Sequence, residues 1–88
     1  MLLHLDARAL EDWLSACPDA EDLGEREYTV DLYDVETPLS VELQLTDKGV
    51  ELLAALTMRY DDELDGWFLD QRVEDADLVE RMLQSAMQ

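Results

Sequence analysis

The sequence predicts a small single α+β domain over residues 1–88, built from an N-terminal helix, an antiparallel β-hairpin and then two helices. The chain has 88 residues, of which 48% are hydrophobic, enough for one core and too few for a second. Apolar residues recur at helical spacing near both ends of the chain. Between these ends, two runs alternate apolar and polar residues, which is typical of strands with one solvent-facing side.

The first helix is predicted to begin after Asp6, because aspartate is a favoured helix cap. The apolar residues that follow have the i, i+3, i+4, i+7 spacing of one helical face: Leu10, Trp13, Leu14 and Cys17. Pro18 ends the helix. The acidic segment from Pro18 to Glu25 is predicted to be a loop, with Gly24 marking a turn.

The hairpin is predicted from two alternating runs joined by a short turn around Pro38. The first run places Tyr28, Val30 and Leu32 on one face. The second run places the following residues on that same face: Leu39, Val41, Leu43 and Leu45.

A second helix is predicted from a cap at Thr46 or Asp47 to the acidic stretch that starts at Asp61. Its buried stripe would consist of Val50, Leu53, Leu56 or Thr57, and Tyr60. The apolar run at 67–69 fits either a short third strand or the start of a helix, since periodicity does not distinguish them. The last helix is predicted to open near Asp75, with this apolar face: Leu78, Val79, Met82, Leu83 and Ala86.

The charge of the chain is strongly negative. Twenty-three Asp and Glu residues against six Lys and Arg residues give a formal net charge of −17. Acids run from Asp6 to Glu80 among apolar residues, which indicates a folded domain with a negative surface rather than a disordered acidic chain. A domain of this length has a diameter of roughly 30 Å, and duplex DNA carries roughly 18 charges over that length. The surface is therefore expected to approach the charge density of the duplex.

This charge selects the class of partner. The few cations are scattered along the chain, so direct binding to nucleic acid is not expected, and anionic membranes would repel the protein. The expected partner is a basic protein or complex that itself binds nucleic acid. Residues 1–5 lack a basic region and a cleavage site, and no apolar run approaches ~18 residues, so a cytoplasmic location is predicted.

Catalytic, cofactor and metal sites are not expected, and the protein is predicted not to be an enzyme. The single histidine and single cysteine, His4 and Cys17, both occur among apolar residues. Residues 61–66 resemble the start of an EF-hand calcium loop, but the closing ligand position holds Arg72, which cannot bind calcium. A solvated acidic turn is the predicted structure of this segment.

The chain resembles small acidic inhibitors of phages and mobile elements that imitate DNA, of the anti-CRISPR and anti-restriction type. The resemblance covers the whole chain and lies in its size, its single domain and its distributed acids. It implies a non-enzymatic DNA mimic whose carboxylates take the places of phosphates in a channel lined by Lys and Arg. One alternative is an immunity protein or antitoxin that neutralises a basic nuclease toxin. Another is a halophile's acidic domain without a charge-specific partner.

The partner-binding surface is predicted in the C-terminal half, where acids are densest. Trp67 is expected to be an apolar anchor among them, since aromatic residues are enriched at binding hot spots. The predicted interface residues are Asp61, Asp62, Glu63, Asp65, Trp67, Asp70, Glu74, Asp75, Asp77 and Glu80.

Overall fold

The computed structural model describes residues 1–88 and contains one six-stranded antiparallel sheet with two helices. The elements in chain order are β1 (Leu2–Leu3), α1 (Ala7–Ala16), β2 (Ala20–Gly24), β3 (Glu27–Leu32), β4 (Leu39–Thr46), β5 (Gly49–Asp61), β6 (Gly66–Arg72) and α2 (Ala76–Met87). The strand order is β1-β5-β4-β3-β2, and β6 also pairs with β5. β1 and β6 therefore share one edge of β5, with β1 at its start and β6 at its end.

The predicted fold class is wrong. Strands make up 47% of the chain and helices 25%, so the domain is mostly β rather than a hairpin accompanied by three helices. The largest error is the predicted second helix, because its residues form the 13-residue strand β5.

Local geometry explains why β5 resembles a helix in sequence. Thr46 pairs with Gly49 across a two-residue turn, and Gly49 has a φ of +129°, a conformation that glycine tolerates. The predicted helix cap is therefore a hairpin turn. Leu53 is then an extra residue, a β-bulge between the pairs Leu52–Leu43 and Ala54–Glu42. The bulge breaks the two-residue alternation, so the fully buried Val50 and the buried Ala55 are five positions apart.

The predicted loop after Pro18 is also wrong, because residues 20–24 form β2. Four of its five residues are exposed, so this edge strand lacks the alternation by which strands are recognised. A tight turn with positive φ at Gly24, Glu25 and Arg26 leads from β2 into β3.

Other elements agree with their predictions. The Asp6 carboxylate accepts hydrogen bonds from the amides of Arg8 and Ala9 at 3.0 and 3.3 Å, and α1 begins there. β3 and β4 form the predicted hairpin. Asp75 caps α2, and the run at 67–69 lies in strand β6.

The core lies between the two helices and one face of the sheet. Alternate residues of β3 and β4 are buried against Leu10 and Leu14 of α1 and the apolar side of α2. No polar or charged side chain is buried. The other face of the sheet carries no helix, and we call it the open face.

The molecule is elongated, with principal extents of 44 × 25 × 24 Å. The elongation arises because β5 extends beyond the end of β4. Leu39, the first residue of β4, pairs with Thr57, and the rest of β5 pairs only with β6. Residues 58–70 thus form a two-stranded projection with its connecting turn, which we call the ribbon. The long axis therefore exceeds the diameter of roughly 30 Å that was expected from chain length.

Candidate protein-interaction surface

The ribbon exposes an unusual amount of apolar surface. Five of the nine exposed large hydrophobic residues of the chain belong to it, each between 41% and 70% accessible: Tyr60, Leu64, Trp67, Phe68 and Leu69. Contiguous exposed apolar patches rimmed by polar residues mark interaction sites. The ribbon is therefore the strongest candidate for a binding surface.

An aromatic cluster joins the ribbon to the sheet. Tyr60 lies opposite Trp67 in the β5–β6 ladder, and their ring centroids are 5.6 Å apart in an edge-to-face arrangement. The Trp67 ring is also 5.2 Å from Tyr33, which follows the last residue of β3. Aromatic pairs at these distances stabilise each other beyond their burial. The cluster of Tyr33, Tyr60 and Trp67 therefore connects the ribbon, close to its turn, to the end of β3 while leaving Trp67 partly exposed.

Two carboxylates accept hydrogen bonds from the cluster's hydroxyls. The Tyr33 hydroxyl donates to Asp31 Oδ2 at 3.3 Å, and the Tyr60 hydroxyl donates to Asp65 Oδ1. Burial, followed by the charge of Asp31, raises the pKa of Tyr33 above 10. The hydrogen bond to Asp65 is the main cause of the raised pKa of Tyr60. Burial also raises the pKa of Tyr28 in the core.

These shifts predict that stability falls under alkaline conditions. All three tyrosine pKa values are higher in the folded chain than the unfolded value of 10.0, so the unfolded state loses protons first. The favourable contribution is complete below pH 10 and is lost as the pH rises through the folded values. We expect the urea midpoint to be lower at pH 11 than at pH 8. Tyr28→Phe should show a smaller fall, and equal midpoints for the native chain would contradict the prediction.

Four of the nine predicted interface carboxylates have structural roles. Asp61 Oδ1 accepts hydrogen bonds from the amides of Glu63 and Leu64 at 2.9 and 3.2 Å, which closes the β5–β6 turn. Asp65 binds the Tyr60 hydroxyl from a left-handed backbone position, φ +50°. Asp75 caps α2, and Glu80 accepts the amide of His4.

The other five predicted carboxylates accept no hydrogen bond: Asp62, Glu63, Asp70, Glu74 and Asp77. They do not form a single patch. Asp62, Glu63 and Asp70 belong to the ribbon, whereas Glu74 and Asp77 adjoin the start of α2. The seven residues of β6 separate Asp62 and Glu63 from Glu74 and Asp77, a span of roughly 20 Å at the usual rise per strand residue, and Asp70 lies between them within β6.

The open face of the sheet is a second acidic surface, and none of its carboxylates belongs to the predicted interface. Its carboxylates come from four strands: Glu21, Glu27, Asp31, Glu42 and Glu51. Each lies opposite an uncharged residue, as when Gln44 separates Glu27 from Glu51. Like charges directly opposite one another destabilise a sheet, and this register avoids them. The sequence indicates the polar face of β3 and β4. The extension of this face across β2 and β5 was not predicted, because neither segment was predicted to be a strand.

Few of these acids are neutralised. Only two side-chain ion pairs involve Lys or Arg: Arg26–Glu11 at 3.6 Å and Arg72–Glu74 at 3.7 Å, both at the surface. No Lys or Arg lies on β2, β3 or β4. Nearly all of the formal charge is therefore presented to solvent.

The largest cavity is a shallow one of about 340 Å³ beside the aromatic cluster. Tyr33 lines it together with Trp13, Cys17, Val35 and Ser85. No group of three or more His, Cys, Asp or Glu side chains is arranged to hold a metal ion. The Asp61 turn instead directs its first carboxylate to backbone amides.

Neither helix has the length and apolar character required to cross a lipid bilayer. Comparison of the chain with protein-family models, with curated proteins and with solved structures finds no match.

Proposed function

We propose that this protein is a non-enzymatic, cytoplasmic inhibitor that mimics the negative charge of nucleic acid and blocks the DNA-binding channel of a basic protein. The observation that carries the proposal is the net charge of −17, almost all of it on surface carboxylates without a cationic partner. Self-repulsion of this size opposes folding, so a benefit in binding is expected. Basic nucleic-acid-binding proteins are the partners that such a surface attracts most strongly.

The dimensions of the molecule support mimicry of DNA, at a charge per unit length somewhat below that of the duplex. A DNA duplex carries one charge per ~1.7 Å of axis, or roughly 26 charges over the 44 Å long axis of this protein. The protein carries about two-thirds of that number. On the open face, neighbouring strands are ~4.8 Å apart, so Glu27 and Glu51, two strands apart, are separated by roughly 10 Å. A channel lined by Lys and Arg would therefore meet several carboxylates at once.

The ribbon is the part of the surface that we assign to the main contacts. It combines the free carboxylates of Asp62, Glu63 and Asp70 with the partly exposed Trp67. Charge attracts any basic surface, whereas an aromatic anchor requires a matching apolar pocket. The combination supports selectivity for one target, and acidity for solubility alone leaves the exposed apolar residues without a role.

The same ribbon favours one alternative, an immunity protein that neutralises a basic nuclease toxin. Toxin inhibition uses apolar anchors at a protein interface and does not require the inhibitor to occupy the DNA channel. The two functions differ in one measurable respect. A DNA mimic competes with duplex DNA for the partner, whereas an immunity protein bound at an exosite forms a ternary complex.

The test is a competition experiment. Immobilised protein is used to capture partners from a lysate of the source organism, and the captured proteins are identified by mass spectrometry. Each purified partner is then tested for duplex binding by gel shift, with and without this protein. We expect loss of the shifted band, relief of inhibition as salt rises, and no shift when this protein is mixed with duplex alone.

A poly-glutamate chain of equal charge is the control, since an effect of charge alone would be reproduced by it. A direct shift of duplex DNA by this protein would contradict the proposal. So would a captured partner that binds duplex and this protein simultaneously.

A further inference from the structure

The outer edge of β6 is unpaired. No strand other than β5 pairs with β6, and residues 67–72 are all exposed. Unpaired edges recruit further strands, and proteins usually protect them with Pro, Lys or short length. The segment 66–69 contains neither Pro nor Lys and carries Trp67, Phe68 and Leu69 in succession. The other edge strands are β1, which has two residues, and β2, which has five residues and two acids, Glu21 and Asp22.

Hydrogen bonding along the ribbon shows which groups of this edge are free. The Met58 amide donates to the Pro38 carbonyl at 3.0 Å, which directs it away from β6. Antiparallel pairs alternate between bonded and non-bonded positions. Met58 and its partner Leu69 therefore form a non-bonded pair, and Leu69 turns its N–H and C=O outward. Trp67, two residues earlier, also turns its N–H and C=O outward. The backbone N–H and C=O of Phe68 instead face Arg59 of β5.

Charge decides what can occupy this edge. A second copy of the chain would bring another 17 negative charges against Asp70 and the acids of the ribbon turn. A segment rich in Lys or Arg would instead be attracted to the carboxylates of Asp62, Glu63 and Asp70. Strand addition supplies affinity through the backbone, while alternate side chains supply specificity.

We propose that the outer edge of β6 accepts an extended, basic segment of the partner as a further strand of the sheet. The proposal rests on the proposed function only for the basic character of the partner. The free N–H and C=O groups of Trp67 and Leu69 would pair with this segment. Its cationic side chains would lie beside the ribbon carboxylates.

The test uses a blocked seven-residue peptide, Lys-Val-Lys-Thr-Lys-Val-Lys, and a matched peptide with Glu in place of Lys. By NMR, the basic peptide should slow amide exchange at Trp67 and Leu69 and leave the already bonded Phe68 unchanged. The acidic peptide should not bind.

Leu69→Pro removes the outward N–H without breaking a ladder bond, because proline is tolerated on the free side of an edge strand. Leu69→Thr, which loses the same side chain but keeps the N–H, is the control. Loss of one backbone hydrogen bond should weaken peptide binding by about fivefold to tenfold in Leu69→Pro relative to Leu69→Thr. The exchange measurement on the native chain stands if Leu69→Pro does not fold.

Equal peptide affinity of the two variants, or unchanged exchange at Trp67 and Leu69, would overturn the proposal. So would a dimer of the native chain that Leu69→Pro dissociates, because a second copy would then occupy the edge. Duplex competition that survives in Leu69→Pro at full strength would reject this inference alone. Peptide binding at the edge without any duplex competition would reject the proposed function alone.

Discussion

Association with the basic partner should slow by about tenfold or more at low salt when Asp62 and Asp70 are both replaced by lysine. The two replacements change the net charge from −17 to −13, and they do so on the ribbon. Electrostatic steering acts mainly on the association rate, so the dissociation rate should change less. The measurement is surface plasmon resonance at several salt concentrations, and the difference from the native chain should shrink as salt rises.

These two positions are chosen because neither carboxylate accepts a hydrogen bond within the chain. Asp65 is unsuitable, since it binds the Tyr60 hydroxyl. The matched control is Glu27→Lys with Glu42→Lys on the open face, which changes the net charge equally. If the control slows association and the ribbon variant does not, with both folded by circular dichroism, the open face rather than the ribbon is the contact surface.

Leu43→Ala should destabilise the fold by about 3–5 kcal/mol, the range for fully buried leucines. Leu43 has no exposed surface, and its strand β4 lies between β3 and β5 in the sheet. Small domains have only about 5–15 kcal/mol of stability in total. The variant is therefore expected to be partly or wholly unfolded at low salt, where repulsion among the carboxylates is strongest.

The measurement is urea unfolding followed by circular dichroism, at low and at high salt. Leu64→Ala removes the same atoms from a side chain that is 70% exposed in the ribbon turn. Its effect should stay within about 0.5 kcal/mol. Similar midpoints for the two variants would contradict the assigned core.

The correctly predicted elements are those in which the capping residues and the spacing of apolar residues match the side chains that the structure buries. Asp6 and Asp75 precede helices whose apolar residues face the core, and β3 and β4 alternate cleanly because one face of each is buried. β5 was predicted to be a helix because a cap at Thr46 or Asp47 is followed by apolar residues at helical spacing, and the structure shows that a bulge at Leu53 produces this spacing by disturbing the alternation of a strand. Pairing with three other strands overrides this helical pattern.

The candidate site was predicted in part for the same reason. The acids around residues 61–70 were evident as a local cluster, together with Trp67. Their partners Tyr33 and Tyr60 were not, since Tyr60 was placed on a helix and Tyr33 meets Trp67 only through the folded sheet. The positions of Glu27, Asp31 and Glu42 follow from the predicted hairpin, whereas the addition of Glu21 and Glu51 to the open face depends on pairing with β2 and β5, which no local pattern reveals.

The separation of the ribbon from the core has an evolutionary consequence. Met58 is the one buried residue of the ribbon, and none of the residues 58–70 belongs to the core cluster formed by the two helices and the sheet. Substitutions in the ribbon are therefore largely released from the requirement to preserve folding, apart from the aromatic cluster and the Asp61 turn. If the target changes during evolution, substitutions at Leu64, Phe68 or Leu69 could accumulate in such an inhibitor while the sheet and the two helices keep their fold. Divergence among descendants should accordingly concentrate at this end of the molecule.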